Sequence, residues 1–294
     1  MKIFIAIKSS AQRSLKSWKG LLIVWFLLLF LASLLAIPMK GALKSGFGDS
    51  MITEKLVDGF NIEAFTDLGA SLRGLISYFR SGFIMAVLAG FLLNAFLTGG
   101  LFYSLKGSSV EFSVGGFFRA SAKNFWTFLI ISLIISLIIL IMGLLIIALP
   151  VAMVGKAEAS SGIAVIKTGI IVISIFFLLL TILLLVADYA RAWQVIQERN
   201  RPFKAIGFGF CQTFSTFLSS YPLMIILLIV QLLFFWLVLG ILPGMKPVTG
   251  VGVFLLFLLS QFLFLIKILL KVWRYGSVTS LMEQNMENEI RDRA

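Results

Sequence analysis

Lys167, Ser174, Thr181 and Asp188 recur at every seventh residue of an otherwise apolar stretch that runs from Lys167 to Arg191. Seven residues turn an α-helix through about 700°, roughly 20° short of two turns, so the four lie on one slowly drifting stripe. An ammonium group, two hydroxyls and a carboxylate on an apolar wall can form ion pairs and hydrogen bonds, or line a polar path. The last apolar stretch carries a matching set, Ser260, Lys267 and Arg274. A carboxylate near a hydrocarbon edge is costly alone, so Asp188 needs a basic group or water within reach. Arg191, three residues on along the same helix, is the local partner, in which case Lys267 extends to the interface on its own stem. If the fourth and sixth apolar stretches are neighbours, Asp188 instead bonds Arg274 or Lys267. The sequence leaves both open.

Other chemistry is poorly provided for. The chain has no His and a single Cys, Cys211, which removes disulfide frameworks, Cys/His metal sites and imidazole acid–base catalysis together. There is no Walker loop, dinucleotide fingerprint, HExxH, GxSxG or pair of intramembrane carboxylates, and Gly207-Phe-Gly is too short to hold a phosphate. No metal, no cofactor and no enzymatic activity are expected.

The elements that must position the stripe are membrane spans. Sixty per cent of the 294 residues are apolar and the mean hydropathy is +1.06. Six runs are long enough to cross a hydrocarbon core of about 30 Å: Leu21–Pro38, Gly82–Leu105, Phe125–Pro150, Gly169–Ala187, Tyr221–Pro243 and Gly250–Leu270. The fold class is therefore all-α, a polytopic integral membrane protein with six transmembrane helices, forming one domain over residues 1–294. The net charge of +12 is concentrated in the segments on one side of these spans. That pattern follows the positive-inside rule, places both termini and Cys211 in the cytoplasm, and speaks for anionic lipid headgroups and against nucleic acid.

Three connecting regions have their own character. Residues 1–20 carry five Lys/Arg and no acid and read as a basic interfacial arm. A secretory signal peptide is the competing reading, but nothing near Pro38 makes a convincing cleavage site. Residues 39–81 form an extracytoplasmic segment with helical spacing of apolar residues from Asn61 to Phe79. It lies on the outer leaflet or closes as a lid over a cavity. Residues 276–294 form a cytoplasmic tail. In the second span Ala86, Gly90, Asn94 and Thr98 sit four apart, a small-residue stripe that invites close helix packing. The inner loops Glu111–Thr127 and Pro202–Ser219, rich in Phe and basic residues, read as interfacial amphipathic helices.

Internal similarity suggests three tandem two-helix units. The odd-numbered spans end in Ala36-Ile-Pro, Ala148-Leu-Pro and Ile241-Leu-Pro, and the even-numbered ones at the evenly spaced Tyr103, Tyr189 and Tyr275. Phe125-Trp-Thr-Phe-Leu also resembles Phe214-Ser-Thr-Phe-Leu.

Asp188-Tyr-Ala-Arg-Ala-Trp, Arg201-Pro-Phe-Lys-Ala-Ile and Pro38-Met-Lys-Gly-Ala-Leu carry a resemblance to an uncharacterised group of bacterial six-span membrane proteins. That group is distantly similar to the membrane domain fused to some glycerophosphodiester phosphodiesterases. The resemblance implies a bacterial cytoplasmic (inner) membrane address; this chain has no phosphodiesterase domain, so hydrolysis does not carry over. The functional expectation is a non-enzymatic membrane subunit that binds a partner membrane protein or lipid. The alternative is a transporter of a lipid or small amphiphile with a site between spans four and six.

Overall fold

The computed structural model describes residues 2–47, 69–105, 112–148, 162–197, 200–241, 244–245 and 249–293. Among these the chain is helical nearly throughout, with no strand. The helices are α1 (Lys2–Lys16), α2 (Trp18–Phe47), α3 (Gly69–Leu105), α4 (Val114–Gly143), α5 (Gly162–Gln197), α6 (Pro202–Ser215), α7 (Phe217–Ile241) and α8 (Gly250–Arg293). A π-helical turn, Leu144–Ala148, extends α4. Helices α2, α3, α4, α5, α7 and α8 are each long and apolar enough to cross a membrane. The chain is thus an all-α, polytopic integral membrane protein, as its hydropathy requires: only a helix satisfies its own backbone within a hydrocarbon core.

Several ends differ from expectation. Helix α2 runs through Pro38 to Phe47, so the proline does not terminate the first span. Its ring costs one backbone hydrogen bond, and apolar helices tolerate that. The corresponding prolines Pro150 and Pro243 lie outside the described residues, as do residues 48–68, which hold Asn61 and most of the presumed lid. The part from Gly69 to Phe79 is no separate amphipathic helix but the first turns of α3. Likewise, the first inner loop has no helix of its own: residues 114–127 are the start of α4. Ser113 caps that start, its hydroxyl accepting from the Gly116 amide at 3.0 Å. The second inner loop does form a short amphipathic helix, α6, begun by Pro202 at its first turn and separated from α7 at Thr216. Phe125–Leu129 therefore sits mid-helix while Phe214–Leu218 straddles a break, and the two similar motifs are not structurally alike.

The chain divides into two compact units, residues 23–94 and residues 1–22 with 95–294. In the smaller unit α2 and the first part of α3 meet where Met39 lies over Gly82, 3.8 Å from where a Cβ would stand.

The larger unit contains the charged stripe. Helices α4 and α5 run antiparallel: Phe176 packs over Gly143 at one end, and Arg191 reaches Ser132 towards the other. Glycines let the helices close up. A Cβ on Gly209 of α6 would stand 2.5 Å from the Val186 carbonyl oxygen of α5, and one on Gly100 would stand 2.6 Å from the Phe117 ring of α4. The buried residues of α4, α5, α7 and α8 gather in one part of each helix, the part that holds Arg119, Arg191 and Arg274 and, in α7, Ser220, which bonds Tyr189 beside them; it is here termed the basic half. In the opposite, far half, no described residue within 136–146, 166–180, 228–241 or 249–262 is buried.

The N-terminal arm and the C-terminal extension are fastened together. Ala6, Ser10, Ser14 and Ser17, on one face of α1 and its continuation, are buried, while Phe4, Ile5, Lys8, Leu15, Lys16 and Trp18 are exposed. The small face lies on α8, which is one unbroken helix from Gly250 to Arg293. Ser10 and Ser277 hydroxyls are 2.6 Å apart, those of Ser9 and Ser280 2.9 Å, and Trp273 Nε1 donates to the Ile7 carbonyl at 3.0 Å. Ala6 joins Leu223, Leu227 and Leu281 in a core cluster, tying α1 to α7 as well.

Candidate functional site

Asp188 stands at the point where α5 leaves its uninterrupted run of Leu, Ile and Val, and it is fully buried. Its Oδ1 accepts from Arg191 Nη1 at 3.2 Å along the same helix, and its Oδ2 lies 3.0 Å from Arg274 Nε on α8. The second contact is an ion pair without hydrogen-bond alignment: both Asp188 Oδ2 and Arg274 Nε are buried with no hydrogen-bond partner. Arg191 also donates from Nη2 to Ser132 Oγ of α4 at 3.0 Å. The carboxylate joins α5 to α8, and Arg191 joins both to α4. Two guanidinium groups share the carboxylate, which leaves a surplus positive charge in a nearly dehydrated place, where charge is least screened.

An aromatic floor supports the cluster. The Arg274 guanidinium lies 5.2 Å from the centre of the Tyr275 ring, and Lys271 Nζ 5.7 Å from it. Tyr275 stacks on Phe102 at 4.7 Å between ring centres, and Phe102 meets Phe128 edge-on at 5.9 Å. Both cations gain from the negative ring face, more so because water is largely excluded. Beside this, the hydroxyls of Tyr189 and Ser220 of α7 are hydrogen-bonded at 2.6 Å, and Ser220 in turn meets Thr216 at 2.6 Å.

The remaining sequence-derived residues separate. Lys267 is exposed and stands apart from the ion pair. Along the stripe, Lys167 and Ser174 are exposed, whereas Thr181 is fully buried. Ser174 donates to the Ile170 carbonyl at 2.8 Å, Thr181 to the Phe177 carbonyl at 2.8 Å and Ser260 to the Phe257 carbonyl at 2.7 Å. These hydroxyls satisfy themselves on their own helices, so the stripe makes no continuous polar path. A Cβ on Gly90 would meet nothing within 4 Å; among the described residues of α3 the close approach falls at Gly99 and Gly100. Ala86 and Asn94 are partly exposed and Thr98 is buried.

Sequence reasoning missed two features. The first is the serine seam between α1 and α8, legible in hindsight as Ala6, Ser10, Ser14, Ser17 facing Gly276, Ser277 and Ser280. The second is a cavity of about 510 Å³ at the start of α4, lined by Tyr103 of α3, Gly115, Arg119, Lys123 and Asn124 of α4, and Val195 of α5, among others. Arg119 and Lys123 are four apart and so share one face, a signal that the sequence did contain.

These features define an integral membrane protein whose polar groups are gathered in one half of its spans. No protein-family model, curated protein or solved structure matches the chain.

Proposed function

We propose that this chain is a non-enzymatic subunit of a bacterial cytoplasmic membrane, with its basic half and both termini on the cytoplasmic side, and that it holds lipid between the far halves of its spans. One observation carries the reading: in the larger unit the far halves have no buried residue, although they are the most apolar parts of the chain. Ile166, Ile170, Ile173, Leu233, Trp236 and Val251 are all more than half exposed. Apolar surface of that extent must be covered by acyl chains or by a partner's membrane helices. Lipid is the better match, because Ser174 and Ser260 bond to their own helices and offer a partner nothing polar to recognise. The orientation rests on the basic bias, and the bacterial address on the resemblance to the six-span group. The non-enzymatic reading rests on the lack of histidine and of any paired carboxylate in the sequence.

A carrier of lipid or a small amphiphile is the second reading. It is favoured by the joining of α5 and α8 through Asp188 and Arg274 at the basic end while their far halves are uncovered, an arrangement closed on one side. Native mass spectrometry of the protein extracted in a mild detergent separates these readings. Phospholipid that stays bound at fixed stoichiometry supports the first, and a co-purifying polypeptide at equal stoichiometry replaces lipid with a partner protein. Exchange of labelled lipid between leaflets of proteoliposomes, above that of empty vesicles, would make the chain a carrier.

A further inference from the structure

We propose that the cavity at the start of α4 is a binding site for a phosphate-ester anion, the group shared by phospholipid headgroups and soluble organic phosphates. This goes beyond the lipid contacts inferred for the far halves, and neither claim depends on the other.

The cavity has the chemistry of an anion site on four counts. Arg119 and Lys123 stand on one face of α4 and line it. Arginine offers a planar fork of donors and lysine a point charge, the usual pair for a phosphate. The rim includes Gly115, in the first turn of α4, where the helix dipole favours negative charge; the Gly116 amide beside it is already taken by Ser113. Tyr103 of α3, whose hydroxyl would stand 3.3 Å from a Cβ on Gly116, brings a further donor. Finally, no acidic residue lines the cavity among the described residues. An independent observation points the same way. Further in, the α4–α5 seam that ends at Asn124 and Val195 meets the Asp188 cluster, where two guanidinium groups share one carboxylate and Arg191 Nε is buried without an acceptor. The seam is therefore short of negative charge.

Size and depth narrow the ligand. About 510 Å³ is far more than a bare oxyanion fills and falls in the range of small-molecule sites. The apolar helix Val114–Ile146 has 33 residues, about 50 Å of helix against a core of about 30 Å. Arg119 and Lys123, in its opening turns, then lie at headgroup level, where Trp126, 70 % exposed, is also suited to sit. A substituted phosphate fits these dimensions better than inorganic phosphate.

The test uses the full chain in phosphatidylcholine nanodiscs, with phosphatidylglycerol as the lipid probe and glycerol phosphate as the soluble one. Binding is read by native mass spectrometry and by thermal stabilisation. Two variants attack the site differently. Arg119→Gln removes charge, and Gly115→Trp fills the space, since a Cβ on Gly115 meets nothing within 4 Å. Lys204→Gln, an exposed cation on α6 that does not line the cavity, is the control. Arg119→Gln is expected to weaken binding about tenfold, the loss of one charge-assisted contact, and Gly115→Trp at least as much by filling the space, with the control unchanged. Saturation by phosphatidylglycerol alone identifies a lipid headgroup, and saturation by glycerol phosphate a soluble ligand; either supports the site. Wild-type protein that binds neither probe, or site variants that bind as wild type does, would overturn it. Should Arg119→Gln fail to fold, Gly115→Trp alone decides.

Discussion

The two halves of α4, α5, α7 and α8 belong to the same helices, yet one is packed and the other bare. Hydrophobicity does not explain the difference, because the bare half is the more apolar. In α5 the far half reads Ile170-Ile-Val-Ile-Ser-Ile-Phe-Phe-Leu-Leu-Leu, with no buried residue, while the basic half places Ala187, Ala190 and Ala192 in the core beside Asp188 and Gln194. Within a bilayer, acyl chains solvate leucine as well as another helix does, so bulk apolar surface gives no net drive to associate. Small residues that permit backbone approach, and polar groups that need each other, do provide one. The basic half has both: Gly99 and Gly100 of α3 and Gly209 of α6 close on it and Gly276 lies within it, and ion pairs and hydroxyl contacts run between its spans. The lesson is that packing in this chain follows its small and polar residues and not its hydropathy maximum.

That contrast can be broken first at the ion pair. Asp188→Arg leaves Arg191 and Arg274 facing a third guanidinium, and Arg274→Asp puts a second carboxylate beside a buried one. Each is expected to cost roughly 3–5 kcal/mol, the usual effect of breaking a buried pair, and so to collapse the yield of monodisperse protein in size-exclusion chromatography. The double change restores the charge content of the cluster and should recover much of that yield. If the two losses simply add, Asp188 and Arg274 are not coupled, and the basic half is held by packing alone.

Glycines give the next effect. Gly209→Ala sets a methyl group against the Val186 carbonyl, a backbone atom that cannot swing aside, and should lower stability by about 1–3 kcal/mol. Gly240→Ala in the far half of α7 meets nothing within 4 Å and should be neutral or slightly stabilising through better helix propensity. Thermal unfolding in one detergent compares them. Equal shifts would erase the distinction between the halves.

The smallest effect belongs to the edge of the basic half. Arg13 Nη1 and Glu283 Oε2 are 2.7 Å apart, with about a quarter to a third of each side chain exposed. Solvent and salt screen such a pair, so Arg13→Ala should cost no more than about 0.2–1 kcal/mol. Amide exchange in α1 should quicken only a little, because the serine seam still holds the helix. Complete loss of protection across Lys2–Lys16 would show instead that the ion pair, not the seam, fastens α1.

How much of this was legible beforehand follows from the range of the interactions. The helices and their number were readable because they depend on local composition: a run of apolar residues long enough for the core must satisfy its own backbone as helix. The need of Asp188 for a cation was readable for the same reason, since the cost of a buried carboxylate is a property of the group itself. Which cation was not readable. Arg191 is fixed by helical spacing, but Arg274 reaches Asp188 only because α5 and α8 meet at that level, while Lys267, two turns away on the same helix, turns outward. In α3 the close crossing is likewise a matter of neighbours: Gly99, one residue past the small-residue stripe, would set a Cβ 3.2 Å from the Ala120 carbonyl of α4, and no local pattern names that partner. Helix α1 shows the point most plainly. Its basic and aromatic face suited a membrane surface, and that face is exposed, but the serines between the lysines meant nothing until α8 set Gly276, Ser277 and Ser280 against them. Contacts between residues hundreds of positions apart depend on which helices become neighbours, and hydropathy carries no record of that.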